Sequence, residues 1–230
     1  MRRPLIGTTV SFPSGAAGGK DALFLAYLVL FHLAWVAWPF VVYPRLLALG
    51  DRTLAYAVAN LTIRLLVWVA PVWLYLRLVD GVEPLAYLKL DGNIRRGIII
   101  ALLLTALNLL GSIARFGWPH PSMHSVTWNS VLGTSLLVGF IEEIPYRGFM
   151  LPKLGERMNF WLANLTTSIL FVAVHAPGWT ALHVWKAETT VFVFVFGVVM
   201  AIVFRYSKSL WAPIVTHSTN DFISVVLFHR

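Results

Sequence analysis

Ser130-Val131-Leu132-Gly133-Thr134-Ser135-Leu136-Leu137-Val138-Gly139-Phe140-Ile141 carries no charge, and Glu142-Glu143-Ile144-Pro145-Tyr146-Arg147 follows it directly. The uncharged run reads as a membrane-spanning helix, and the charges continue it rather than end it. An ionisable side chain at the centre of such a helix costs about 2.5–3.5 kcal/mol on insertion scales. Three of them within six residues therefore need a purpose. Lone histidines stand in two later apolar segments, His175 and His217. Acid, cation and imidazole in a bilayer point to chemistry carried out there.

The rest of the chain supports this reading. Of 230 residues 58% are apolar and 12% charged, against about 25% charged in ordinary soluble domains. Seven apolar segments stand out, at about 22–43, 53–79, 97–114, 128–152, 158–176, 189–205 and 209–228. They are continuous rather than alternating, which predicts helices and not barrel strands. The expected fold is all-α, a polytopic transmembrane bundle of about seven spans, with six to eight as the range. Three regions are expected: a tail over 1–21, N-terminal transmembrane helices over 22–127, and a catalytic core over 128–230. Turn chemistry separates the spans at Leu49-Gly50-Asp51-Arg52, Asp80-Gly81-Val82-Glu83-Pro84, Trp118-Pro119-His120-Pro121, Ala176-Pro177-Gly178 and Ser207-Lys208-Ser209. The short mixed stretch from Leu85 to Arg96 suits an interfacial segment.

The net charge of +8 invites a nucleic-acid reading, but the cations form no stripe with interleaved aromatics. They lie between the apolar runs, as orienting loop charges do. With the N-terminus inside, the inner regions hold twelve lysines and arginines and the outer regions five, which favours a cytoplasmic N-terminus. The first 21 residues lack the apolar core of a signal peptide and are expected to form a disordered cytoplasmic tail. There is no cysteine, so disulfides, thiolate metal sites and a cysteine nucleophile are excluded.

The fourth and fifth segments form a hairpin whose turn is Gly155-Glu156-Arg157-Met158-Asn159. Glu142 and His175 are each about 22–27 Å from that turn at 1.5 Å rise per residue, so the hairpin brings them to one depth. A buried glutamate beside an imidazole is the arrangement a general base requires. His217 and Asn220 are three apart on one face of the last segment and both can donate to a developing oxyanion. Glu143 and Arg147 are four apart in the favourable acid-first order, which suits a structural pair. Pro145 predicts a kink beside Glu142. Other features call only for packing roles: the aromatics of the first span, His32 as a hydrogen-bonded residue between helices, and Arg64 snorkelling or paired within the bundle. Ser135 with Gly139, and Gly197 with Ala201, are small residues that permit close helix approach. His120 and His124 fall in a proline-containing loop.

These residues together resemble the CPBP intramembrane proteases, the CAAX-prenyl-endopeptidase and bacteriocin-processing family also called Abi. Glu142-Glu143-Ile144-Pro145-Tyr146-Arg147-Gly148 is similar to its first motif, two glutamates, three residues and an arginine. Phe171-Val172-Ala173-Val174-His175 resembles its second, and Ser209 to His217 resembles the approach to its later histidine. The likeness covers about residues 128–225. It implies that Glu142 activates a water with help from His175, and that His217 and a nearby amide hold the oxyanion, with Glu143, Arg147, Phe171 and Asp221 in support. The family often has asparagine four residues after that histidine, where this chain has Asp221, with Asn220 one place earlier. Either Asn220 substitutes, or Asp221 is protonated, or Asp221 orients His217.

The expected function is thus an intramembrane endopeptidase using a glutamate-activated water. No cofactor is expected. If the enzyme were metal-dependent, Glu142, His175 and His217 would be the zinc ligands. The expected partners are the bilayer and a membrane-associated or lipidated peptide, with no nucleic acid, and the expected place is a prokaryotic inner membrane. The alternatives are a transporter that relays protons through the same groups, or a non-catalytic immunity protein on the same fold.

Overall fold

The computed structural model of the protein describes residues 14–121 and 126–228. His124 and residues 1–13 of the expected tail lie outside the described residues. Among the described residues the regular structure is helical throughout, in the order α1 (14–47), α2 (54–80), α3 (Pro84–Tyr87), α4 (Ile94–Phe116), α5 (128–155), α6 (Phe160–Ala181), α7 (Ala187–Ser207) and α8 (211–227). The all-α expectation holds. Among the described residues, five helical stretches are long and apolar enough to cross a membrane: Gly18–Leu47, Leu54–Asp80, Ile94–Phe116, Phe160–Ala181 and Ala187–Ser207. The two remaining long helices, α5 and α8, miss that standard. They are the two that carry Glu142, Glu143 and His217.

Burial runs opposite to that of a soluble protein. Leu30, Leu66, Leu107, Leu110 and Ile169 are exposed on the outer faces, whereas Glu143 is 0% and Arg147 2% exposed. Apolar solvent outside and ionisable groups within is the arrangement a bilayer requires. The fold of this part of the chain is that of an integral membrane protein.

Local signals fix three of the helix starts. Thr53 caps α2 by accepting from the Tyr56 amide, and Asn159 caps α6 by accepting from the Leu162 amide. Thr127 and Ser130 form a reciprocal capping pair at the start of α5. Two boundaries differ from expectation. Helix α1 starts at Ser14, inside the expected tail, because extending an existing helix adds one bond for each residue fixed. Helix α6 passes through Pro177 to Ala181, where a turn at Ala176-Pro177-Gly178 was expected. Continuing forfeits one backbone bond at the proline, whereas stopping there would strand several backbone groups at membrane depth.

Wide π turns shape the bundle. Among the described residues, three of the six lie at prolines, Trp38–Val42 around Pro39, Leu65–Val69 just before Pro71 and Ile144–Met150 around Pro145, and the other three, Leu76–Asp80, Leu132–Leu136 and Phe222–Leu227, do not. A wider turn accommodates the proline ring that would strike the carbonyl four residues back. In α5 the sequence is a π turn over Leu132–Leu136, an interruption at Leu137, α-helix over Val138–Glu143, then the second π turn. The distortion expected at Pro145 takes this form, directly after the two glutamates.

Helix α8 is central. It packs on α4, on both halves of α5 around Leu137, and on α7, while α6 and α7 pair as a hairpin and α2 lies along the first part of α5. At one end of the bundle, Lys153 meets Asp80 at 2.8 Å, Arg157 pairs with Asp21, and the Trp211 indole donates to the Leu90 carbonyl at 2.7 Å. The expected interfacial stretch lies here as α3 and the turn after it, with Leu88 fully buried.

Gly139 sets the distance between α5 and α8. A Cβ there would overlap the Ile214 carbonyl oxygen and come within 2.6 Å of Ser218 Oγ. Gly139→Ala is therefore expected to force the helices apart and destabilise the fold by about 1–3 kcal/mol, the usual cost of overpacking. Unfolding in mixed micelles measures this, and a wild-type midpoint would contradict the close approach.

Candidate active site

The site is built where α5, α6 and α8 meet, with α2 closing one side. Glu142, on the last α-helical turn of α5 before the π turn, is 5% exposed. The hairpin of α5 and α6 delivers His175 as the residue count required: its Nε2 lies 4.0 Å from Glu142 Oε2. Helix α8 brings His217 Nε2 to 3.9 Å from the same oxygen. Glu142 Oε2 is buried and has no hydrogen-bond partner. One carboxylate oxygen thus faces two imidazole nitrogens.

Both rings are held from behind. His175 Nδ1 lies 2.7 Å from the Phe171 carbonyl. A carbonyl only accepts, so Nδ1 carries the proton, and in the neutral ring Nε2 presents a lone pair to the site. His217 Nδ1 lies 2.7 Å from Glu143 Oε1, which sets that ring's orientation in the same manner. Glu143 Oε1 also accepts from Arg147 at 3.1 Å, and Arg147 reaches on to the Gly197 carbonyl at 3.2 Å. The Arg147 guanidinium lies over the Phe171 ring, 4.3 Å from its centre. Glu143, Arg147 and Phe171 therefore form one buried assembly behind the two histidines. The pairing of Glu143 with Arg147 agrees with the sequence spacing. Its contact with His217 does not follow from that spacing.

Asn220 stands apart from this cluster. Its Oδ1 accepts from Asn108 of α4 at 3.0 Å, and its amide donates to Asp221 Oδ1 at 3.0 Å. Asp221 Oδ2 faces His217 Nε2 at 3.9 Å. Asp221 is thus the member of this pair that neighbours His217, at a distance beyond a hydrogen bond, while Asn220 is engaged with Asn108. His32, expected to bond between helices, instead bonds within its own helix to the Leu28 carbonyl at 2.7 Å.

Arg64, expected from the sequence to snorkel or to pair within the bundle, pairs with the site glutamate itself. Arg64 of α2 places Nη2 3.4 Å from Glu142 Oε1 and Nη1 3.4 Å from the Gly133 carbonyl. The signal was present: a charge inside an apolar span is by default a functional candidate.

Glu142 Oε2 and the two Nε2 atoms are donors that zinc accepts. Their 4.0 and 3.9 Å separations exceed the roughly 3.3 Å edge of a tetrahedron with bonds of about 2.0–2.1 Å. Among the described residues no group of three or more His, Asp or Glu side chains is arranged to hold a metal ion. The donor types fit a metal and their spacing does not.

No curated protein and no solved structure matches this chain. Residues 124–223, the stretch that carries Glu142, His175 and His217, match the family model described as Type II CAAX prenyl endopeptidase Rce1-like, the CAAX-protease family whose motifs the sequence resembles.

Proposed function

We propose that this protein is an intramembrane endopeptidase in which Glu142 activates a water molecule for attack on a peptide carbonyl. The observation that carries the reading is the bare, buried Oε2 of Glu142, faced by His175 Nε2 and His217 Nε2 at hydrogen-bond-plus-one-atom range. Oε2 and the His175 lone pair accept hydrogen bonds from the two O–H groups of one water. As an oxygen lone pair attacks the carbonyl carbon, one proton passes to Glu142 while the other stays on the new hydroxyl. As that bond forms, the carbonyl π electrons move to oxygen. Acidic oxygens face both nitrogens of His217, an arrangement that suits Nε2 to donate to the new oxyanion. Collapse of the intermediate breaks the C–N bond, and the proton held by Glu142 passes to the departing amine.

The family match supports a membrane-associated peptide as substrate and, through its description, a prenylated one. The bundle end that holds Lys89, Arg95, Arg96, Lys153, Arg157, Arg205 and Lys208 supports a cytoplasmic placement of that end and of the N-terminus. The test uses purified protein in micelles with two internally quenched peptides, one bearing a prenyl thioether near its C-terminus and one without it. Cleavage of the first in preference to the second is expected, at a single bond located by mass spectrometry. Proton-coupled flux in liposomes with no hydrolysis of either peptide would instead support the carrier.

The donor spacing leads to a separate expectation. Prolonged treatment with a strong chelator should leave the rate within about twofold of its starting value. Loss in chelator with recovery on adding zinc would overturn the water-on-glutamate scheme in favour of a zinc-bound one.

A further inference from the structure

Arg64 lies outside the segment that matches the family model, yet it touches the residue on which the proposed chemistry turns. Its side chain is 13% exposed. Trp35 of α1 and Trp68 of α2 hold its guanidinium, with ring centres 5.8 and 5.7 Å from Cζ, contacts that favour a cation removed from water. The two hydrogen bonds run to different parts of α5, one to the Gly133 carbonyl and one to Glu142 Oε1. A Cβ at Gly133 would come within 2.7 Å of Asn129 Oδ1 on the same helix. One turn earlier on α2, Asn60 donates to that same Asn129 oxygen at 2.7 Å. Asn60 and Arg64, four apart, thus fix the first half of α5 against α2.

The consequence for Glu142 is an asymmetry between its two oxygens. Oε1 is claimed by Arg64, and Oε2 is left bare towards the histidines. A carboxylate bound by nothing could rotate and present either oxygen to the histidines. We infer that Arg64 is a positioning residue for the proposed peptidase reaction: it pins Glu142 through Oε1 so that Oε2 is the oxygen that meets water. Arginine suits the task because its planar fork reaches a carboxylate and a carbonyl at once, which an ammonium does not do with fixed geometry. The inference rests on the peptidase reading above.

The experiment measures kcat and KM on the prenylated quenched peptide for wild type, Arg64→Gln, Arg64→Lys, Arg77→Gln and Glu142→Gln. A displacement of about 1 Å at a reacting group can cost about 10²-fold in rate. Arg64→Gln is expected to lower kcat by about that factor, with KM within about twofold. Arg64→Lys keeps the charge without the fork and is expected to fall roughly tenfold. Arg77→Gln removes an exposed arginine of the same helix, paired with Glu83 at 2.6 Å, and should leave kcat unchanged. Wild-type kcat in folded Arg64→Gln, or a loss confined to KM, overturns the inference. If Arg64→Gln does not fold, Arg64→Lys decides: a kcat within twofold of wild type overturns it, and a reduced kcat at constant KM supports it. Loss of cleavage in Glu142→Gln beside full activity in Arg64→Gln removes this inference alone. Wild-type activity in Glu142→Gln removes the glutamate-activated water, and with it the reading on which this inference rests.

Discussion

Glu142→Gln is expected to lower the rate of peptide cleavage by about 10²–10⁴-fold, the usual contribution of a positioned general base. The substitution keeps size and shape at a residue that is 5% exposed, so packing around α5 is preserved. It removes the one property the mechanism needs, a basic oxygen. In either orientation of the amide, its oxygen is too weak a base to take a proton from water. If the oxygen stays on Arg64, the NH2 group faces the histidines and donates to the His175 Nε2 lone pair instead of accepting from water. The measurement is the single-turnover rate in detergent, with unfolding followed in parallel. A folded variant that cleaves at the wild-type rate would remove Glu142 from the chemistry. A variant that binds the peptide and holds it uncut would also give a means of capturing natural substrates from membranes.

Much of this site was legible because helices convert residue counts into depth. The turn at Gly155 to Asn159 was read from its composition, and counting back and forward from it brought Glu142 and His175 together, as the 4.0 Å contact shows. Azimuth was less legible. In a regular helix a residue four places on is displaced by about 40° and one three places on by about 60° in the opposite sense. From His217 these are Asp221 and Asn220, and the smaller angle places Asp221 beside the imidazole while Asn220 turns to Asn108. Counting alone left that choice open. Along α5 the π turns change the phase, so periodicity does not tell that Glu143 reaches α8 as well as Arg147. The partner of Arg64 was missed for another reason. It comes from a span with no recognisable motif, and only the packing of α2 on the first half of α5 carries it to Glu142.

The second large effect is expected at the other glutamate. Arg147→Met should destabilise the protein by about 3–5 kcal/mol, the range found when one partner of a buried ion pair is removed. The pair is 2% and 0% exposed, so water does not replace the lost cation. The Gly197 carbonyl and the face of Phe171 lose their partner too. Cleavage should fall about 10²-fold in any protein that remains folded, because Glu143 no longer holds His217 at a fixed angle. The double variant Glu143→Leu/Arg147→Met separates these two effects. It removes both charges, and a buried ion pair exchanged for apolar side chains of similar volume is often neutral or better. What stays behind is His217 Nδ1, which loses its acceptor at 2.7 Å at a cost of about 1–3 kcal/mol. The double variant should therefore be more stable than Arg147→Met alone, yet no more active, since the ring that faces the oxyanion is unheld. Equal stability of the two variants would show that charge pairing is not what Arg147 contributes. Recovery of activity in the double variant would show that His217 needs no carboxylate behind it, and the role assigned to Glu143 would fall.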